Sequence, residues 1–296
     1  MKMNSIPHDK KLLESPYPGI EPFSYAARDV FFAREVDARS LIRLSVMYRG
    51  VLLFAESGIG KSSLINSRLI PLAKGEGLQP ERIRIHTKKG GEIIIERISE
   101  RVDGKPPYLP SIFASDEAHE RVVLSVDAFL ELLKKAAGKS RPLLIFDQFE
   151  EWVTLFEDSS SGSKVEELSV IRDHIKNAIV SIINDTTLQA KILISFREDY
   201  LAKLAPIFKE CPSLPDHYSR LTPLKGSQIN EVIRGPFEKY PGKFKTELNP
   251  SLVDNIKNQF EERMRGADIR LAEVEIVCES LFDSDKKGAE LDHFFC

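Results

Sequence analysis

Residues Gly50–Ser63 read GVLLFAESGIGKSS, and the reading of this stretch decides the fold. An apolar run, Val51–Phe54, gives way to a glycine-bearing turn and then to Lys61 and Ser62. After them Leu64, Ile65, Leu69 and Ile70 make a helical apolar stripe. Strand, turn and helix in this order form the phosphate-binding (Walker A) loop, with Ala55 where the first glycine usually stands. Gly58 and Gly60 let the backbone take positive-φ turns with no side chain in the way. The amides of Glu56, Ser57, Gly58, Ile59 and Gly60, with Lys61, Ser62 and Ser63 at the helix start, then converge on phosphate oxygens at a positive helix terminus. Lys61 supplies a mobile ammonium to the β- and γ-phosphates, and the Ser62 hydroxyl is placed to ligate Mg²⁺. The plain alternative is an ordinary glycine turn. The strand before it and the stripe after it favour a nucleotide phosphate site.

Arg141–Trp152, RPLLIFDQFEEW, is the second anchor. Leu143–Phe146 is a continuous apolar run, as in a strand covered on both faces of a parallel sheet. Asp147 stands at its carboxyl end, where ligands sit in open α/β sheets, and an Asp there holds Mg²⁺ directly or through water. Glu150 and Glu151 follow within a turn, close enough to orient a water against the γ-phosphate. Their bland alternative is favourable placement of acids near a helix N-terminus, worth under about 1 kcal/mol; with the phosphate loop upstream, the catalytic reading is preferred. A further strand, Lys191–Phe196, ends in Arg197, Glu198 and Asp199, and its carboxyl end should stand beside Asp147 if the two strands are neighbours. Arg197 then senses or neutralises γ-phosphate charge, or else pairs at the surface with Glu198 or Asp199.

Working outward, residues 1–15 are polar and read as a flexible tail. Pro16–Phe23, PYPGIEPF, is too rich in proline for helix or ladder and predicts an extended strap on the domain surface. Asp29–Glu35, DVFFARE, leads into an amphipathic helix with Val36, Leu41, Leu44 and Val46 toward the core. Phe31 and Phe32 either pack in that core or close over a purine ring with Arg34 nearby. Pro71–Pro80 reads as a connector and Arg82–His86 as a second strand. Ile93–Ile98 reads as the start of a helix, Asp103–Ser115 as a long surface loop and Val122–Ala137 as a helix stopped by Gly138. Ser159–Ser163 reads as a flexible loop and Lys164–Asn184 as a long amphipathic helix. Arg220–Leu224 is a candidate closing strand. From Ser227 the pattern is mostly helical, with helices over Leu252–Met264 and Leu271–Leu281, and Pro236 bends or stops the first helix. The expected division is a nucleotide-binding domain over 16–225 and a small helical lid over 226–296.

The 296 residues suffice for one large domain or two small ones. Lys+Arg 42 against Asp+Glu 45 gives a net charge of −3, so overall charge does not suggest nucleic-acid binding. Cys211, Cys278 and Cys296 form neither a metal spacing nor a disulfide framework, which fits a reducing cytosol. With no signal-peptide core and no run of membrane-spanning length, a soluble cytoplasmic protein is expected.

Together these stretches resemble the STAND class of P-loop NTPases, specifically the prokaryotic novel STAND NTPase 1 group. The resemblance covers Pro16 to Leu281 and rests on PYPGIEPF, FFAREVD (similar to the family's FFGREXE box), AESGIGKSS, LLIFDQFEEW, ISFRED, and RLTPL followed by IRGPF. It implies an α/β fold, a P-loop NTPase three-layer sandwich with a parallel sheet, followed by a small helical lid. It also implies five-stranded topology with an extra strand between the phosphate-loop and Asp147 strands, with which RIRIH is consistent. The implied ligands are ATP or ADP with Mg²⁺, and the implied activity is a signal-transduction switch, closed with ADP and opened or oligomerised with ATP. By the same resemblance Phe32 and Arg34 lie by the adenine, Asp147 is the Mg²⁺ acid, and Glu150 and Glu151 flank the attacking water. Arg197 is then the sensor arginine and Pro236 belongs to the lid.

Two departures stand out. Ala33 replaces the glycine of the box, and the residues end at Cys296, before the winged-helix module and the sensor or effector domains that the resemblance implies, so the lid is expected to be incomplete. The leading functional expectation is a slow regulatory ATPase with a protein partner or a second copy as its mate. The alternative is a nucleotide-holding scaffold without turnover. A nucleic-acid-remodelling ATPase is disfavoured by the balanced charge and the lack of a basic-aromatic stripe, and a small-molecule kinase by the lack of a legible acceptor pocket.

Overall fold

The computed structural model describes residues 16–86, 92–96, 111–113, 121–154, 162–241, 244 and 269–286. Among the described residues the sheet has seven strands, in the order β4-β3-β2-β5-β6-β1-β7. They are β1 (Gly50–Ala55), β2 (Gln79–His86), β3 (Glu92–Glu96), β4 (Arg121–Ser125), β5 (Pro142–Phe146), β6 (Lys191–Arg197) and β7 (Tyr218–Arg220). Strands β2, β5, β6, β1 and β7 run parallel, and β3 and β4 extend the β2 side antiparallel. Every residue of β1 and β5 is buried, as apolar strands require when helices cover both faces.

One helical layer holds α1 (Glu35–Met47), α2 (Lys61–Leu64), α3 (Ile70–Gly75), α8 (Gly226–Lys239) and α9 (Leu271–Lys286). It buries Leu41, Leu64, Ile70, Ile229 and Val274 with the inward face of β1. The opposite layer holds α4 (Val126–Ala137), α6 (Gly162–Asn184) and α7 (Ala205–Glu210), with Phe129, Ile175, Ile179 and Ile207 packed on β5 and β6. A short helix, α5 (Glu151–Thr154), follows β5. The three layers and parallel sheet are those expected. The strand between β1 and β5 is β6, whereas the RIRIH strand lies on the far side of β5.

Several local expectations are overturned. Ile93–Ile98 does not open a helix; Glu92–Glu96 is a strand paired antiparallel with β2, Ile93 opposite Ile85. Three β-branched isoleucines in a row favour the pleated surface over a helix. For the same reason Val122–Ala137 is divided: residues 121–125 pair with β3, and α4 begins at Val126, capped by the Ser125 hydroxyl, which accepts from the Ala128 amide at 3.3 Å. Val36 is 80% exposed, because the buried stripe of α1 is Ala38, Leu41, Ile42 and Ser45. Helix occupies part of the Pro71–Pro80 connector: α3 continues directly from a π-type turn, Ile65–Leu69, where the regular i→i−4 ladder is already interrupted ahead of Pro71. The closing strand is Tyr218–Arg220 rather than Arg220–Leu224, and Leu224 makes a separate bridge to Ile269. Helix α8 runs through Pro236, with the Tyr240 amide donating to the Pro236 carbonyl at 3.0 Å. The tail 1–15, most of the loop 103–115 and the helix 252–264 lie outside the described residues. Among the described residues, no helix is long and apolar enough to cross a membrane.

Phe196, fully buried in β6 against Phe54, tests this core. Phe196→Ala is expected to lose about 3–5 kcal/mol, read as a fall in urea midpoint through the fluorescence of Trp152, the single tryptophan of the chain. A loss below about 1 kcal/mol would contradict the packing of β6 between the two layers.

Candidate nucleotide site

The site forms where β1, β5 and β6 end. Strand β1 passes into the turn at Glu56; Gly58 has φ 77° and Gly60 φ 100°, both in the left-handed region that glycine adopts freely. Gly60 is the N-cap of α2, so the amides that follow it point out of the helix start into the cleft. Lys61 Nζ donates to the carbonyls of Ala55 and Glu56, each at 3.2 Å. Burial lowers the Lys61 pKa, opposed by the nearby Glu150 and Asp147.

Asp147 faces this helix start. Its Oδ1 lies 3.5 Å from Ser62 Oγ and accepts from the Gln148 amide at 3.0 Å, while Arg82 of β2 pairs with its Oδ2 at 2.9 Å. Gln148 takes φ 56°, which turns the chain sharply after the acid. Glu150 stands on the same turn, and its Oε2 accepts from the Arg197 amide at 3.3 Å. Burial raises the Glu150 pKa, with Lys61 pulling against it. The Arg197 guanidinium is half-exposed and paired with Asp199 at 2.8 Å. Glu198, its neighbour, is engaged by Arg220 at 2.8 Å.

Phosphate loop, Asp147, Glu150 and Arg197 line one cleft of about 190 Å³, closed on the other side by Gly19–Phe23 of the strap and by Leu271, Ala272 and Glu275 of α9. The strap is tied down through the widened π-type turn Ile65–Leu69 that continues α2. There Asn66 Nδ2 donates to the Phe23 carbonyl at 3.0 Å, Ser67 Oγ to that of Ser24 at 3.0 Å, and Arg68 to those of Arg28 and Phe31. The Phe23 amide in turn donates to Ser63 Oγ at 3.2 Å.

Other residues singled out in the sequence sit beside the cleft without lining it. Arg34 is buried behind the loop, donating to the Ile59 carbonyl at 3.2 Å and pairing with Asp37 at 3.1 Å. Phe32 lies against Gly235 of α8, where an added Cβ would meet its ring at 2.6 Å, so Pro236 is one residue from that contact. Glu56 is exposed and 3.7 Å from Arg270, Ile59 is buried in the core, and Glu151 begins α5. Sequence reasoning missed Arg82, the base of the strap and the face of α9. The alternation of RIRIH hints at Arg82, since Ile83 and Ile85 are buried and the arginines point the other way. Glu275 leaves a fainter trace, as an acid between Leu271, Val274 and Cys278 on a buried helical stripe.

A glycine loop between a buried parallel strand and a helix, faced from a strand two places away by a buried aspartate, defines a P-loop NTPase. The chain belongs to the Novel STAND NTPase 1 family, whose model matches residues 16–288. Among curated proteins none matches it. Solved structures with the same fold include the ADP form of the Aeropyrum pernix ORC2 protein, 13% identical over 95% of this chain and 69% of that one, with a TM-score of 0.53. A Walker-type ATPase of Pyrococcus abyssi is 15% identical over 87% and 69%, with a TM-score of 0.50. The Aeropyrum pernix ORC1 protein, solved in complex with DNA, is 14% identical over 88% of this chain, with a TM-score of 0.50. This chain spans 62% of the length of that protein.

Gly60 and Gly77 separate two effects of an added methyl. Both have positive φ, but a Cβ at Gly60 would meet Leu271 Cδ2 at 2.6 Å, whereas Gly77 has open space. Alanine at either is expected to lose about 1–2 kcal/mol of backbone energy, and Gly60→Ala more than Gly77→Ala in a denaturant titration. Equal losses would contradict the seating of α9 on the loop.

Proposed function

We propose that this chain binds ATP with Mg²⁺, hydrolyses it slowly, and works as a STAND-type signal-transduction switch in the cytoplasm of a prokaryote. The observation that carries the reading is the 3.5 Å approach of Ser62 Oγ, on the phosphate-loop helix, to Asp147 Oδ1, on a different strand. A hydroxyl and a carboxylate are oxygen donors of the kind Mg²⁺ prefers, so Ser62 and Asp147 would hold it. The metal would supply neutralisation of charge on the β- and γ-phosphate oxygens.

The remaining work falls to the chain's own groups. The loop amides and Lys61 bind the phosphates, Lys61 from a partly desolvated position where its charge is felt strongly. Glu150 is the acid that shares the cleft with them, and it orients a water and takes its proton; Glu151 supports it from the start of α5. Arg197, at the end of β6, answers the charge of the terminal phosphate by leaving Asp199. Arg34 sets the loop from behind, and Phe32, with Pro236 beside its contact, links the nucleotide state to α8. A protein partner or a second copy of the chain receives the output.

Calorimetric titration with ATP and Mg²⁺ tests the binding half: Lys61→Ala is expected to weaken ATP at least a hundredfold, and a purified chain indifferent to every nucleoside triphosphate would end the proposal. Glu150→Gln is expected to leave ATP affinity within a few-fold and to lower turnover by about 10²–10⁴. The pH profile has a defined sign. Glu150 acts ionised and its pKa is raised by burial, so turnover is low below that pKa and rises through it, with the acidic limb shifted upward from that of a free carboxylate. A limb that persists unchanged in Glu150→Gln would assign the base elsewhere.

A further inference from the structure

Helix α9 meets the cleft along residues spaced four apart, which stack on one helical face. Leu271 sits on Gly60, and the adjacent Ala272 amide donates to the Gly58 carbonyl at 3.2 Å. Two turns on, the Glu279 carboxyl is packed directly against Gly19 of the strap, leaving no room there for a Cβ. Glu275 falls between these contacts and lines the cleft. It is 3% exposed, and its Oε2 has no hydrogen-bond partner among the described residues. An unfilled oxygen on a buried carboxyl calls for a partner that the described residues do not provide.

The two ends of the cleft differ in chemistry. Asp147, Glu150 and Arg197 stand at the end that receives a terminal phosphate. The strap, with the Phe23 amide on Ser63 Oγ, stands where the chain of phosphates leaves the loop helix toward a nucleoside. Glu275, between the contacts of α9 with Gly60 and with Gly19, stands beside this strap, close enough to act on the Tyr17 phenol.

We propose that Glu275 reads the base of the bound nucleotide and selects a purine that carries a 6-amino group. A protonated carboxyl presents one O–H donor beside one carbonyl acceptor. Adenine presents the complement, an amino donor beside a ring-nitrogen acceptor, whereas the corresponding edge of guanine carries two acceptors, N7 and O6. Guanine's other edge, with two donors, matches an ionised carboxylate instead. The surroundings favour the neutral form. Burial, with Glu279 nearby, holds the Glu275 carboxyl well above the usual carboxylate range. The neighbouring Tyr17 phenol and Cys278 thiol are likewise held neutral by burial. No cation is resolved among the influences on Glu275 that would restore its charge.

The inference rests on the ATP-binding reading, and the experiment separates the two. Affinities of the purified chain are measured for ATP, GTP, purine riboside 5′-triphosphate (which lacks the 6-amino group) and inorganic tripolyphosphate. Wild type is expected to bind ATP about tenfold to a hundredfold more tightly than either of the other two nucleotides. Glu275→Gln keeps a donor and an acceptor and is expected to keep the preference. Glu275→Leu is expected to bind tripolyphosphate as wild type does, with ATP reduced to the level of purine riboside triphosphate. If wild type binds ATP and purine riboside triphosphate equally, or Glu275→Leu retains the wild-type preference, the base-reading role is overturned while the nucleotide site stands. If no ligand binds wild type, tripolyphosphate included, the site itself falls and the inference with it. Should the leucine variant fail to fold, the wild-type comparison of ATP with purine riboside triphosphate decides the matter by itself.

Discussion

The charge of Asp147 is the constraint on which the rest depends. Its side chain is 1% exposed, and a carboxylate so far from water is tolerated only when it is paired and hydrogen-bonded. The pairing comes from three separate elements: Arg82 from β2, the Gln148 amide from the turn after β5, and Ser62 from the helix after β1. Each is in place only if the strands lie in the observed order and register. The sheet supplies that register directly, since the Asp147 amide donates to the Ile83 carbonyl at 3.0 Å and the Phe149 amide to that of Ser195 at 2.9 Å. Folding the sheet and balancing this acid are one event.

A second set of contacts joins pieces far apart in the chain beside the same cleft. Tyr17 donates from its hydroxyl to the Ile233 carbonyl of α8 at 2.7 Å, and Gln228 of α8 donates to the Ala33 carbonyl at 3.0 Å. Ala33 itself has φ 67°, a left-handed conformation that costs a residue with a Cβ roughly 1–2 kcal/mol. That is the physical meaning of the alanine standing where the family box has glycine. The strained turn is held between α8 on one side and the buried Arg34 on the other. Strap, box, loop and α9 are therefore neighbours through hydrogen bonds as well as through apolar packing.

Contiguous patterns were legible in the sequence; juxtapositions were not. The phosphate loop, the Asp147 strand and the strand ending at Arg197 each announce themselves within a dozen residues, and from them the layers and the parallel sheet follow. The antiparallel edge is not legible because Ile93–Ile95 and Val122–Leu124 are short runs without clear period, and only β-branching favours strand over helix there. The acids and the arginine brought into the cleft were visible as strand-end residues. Arg82 and Glu275 were not, because one acts from a strand facing an acid 65 positions away and the other from a helix whose partner surface lies near the opposite terminus.

The antiparallel pair β3 and β4 occupies the margin of the sheet farthest from the phosphate loop. Yet β3 is hydrogen-bonded along β2, with Glu96 opposite Arg82 in the ladder. The counter-charge of the central acid is thus carried on the strand to which that outlying ribbon is bonded. Bending or peeling the ribbon would displace the guanidinium beside Asp147, so the periphery of this sheet has mechanical leverage over a deeply buried carboxylate.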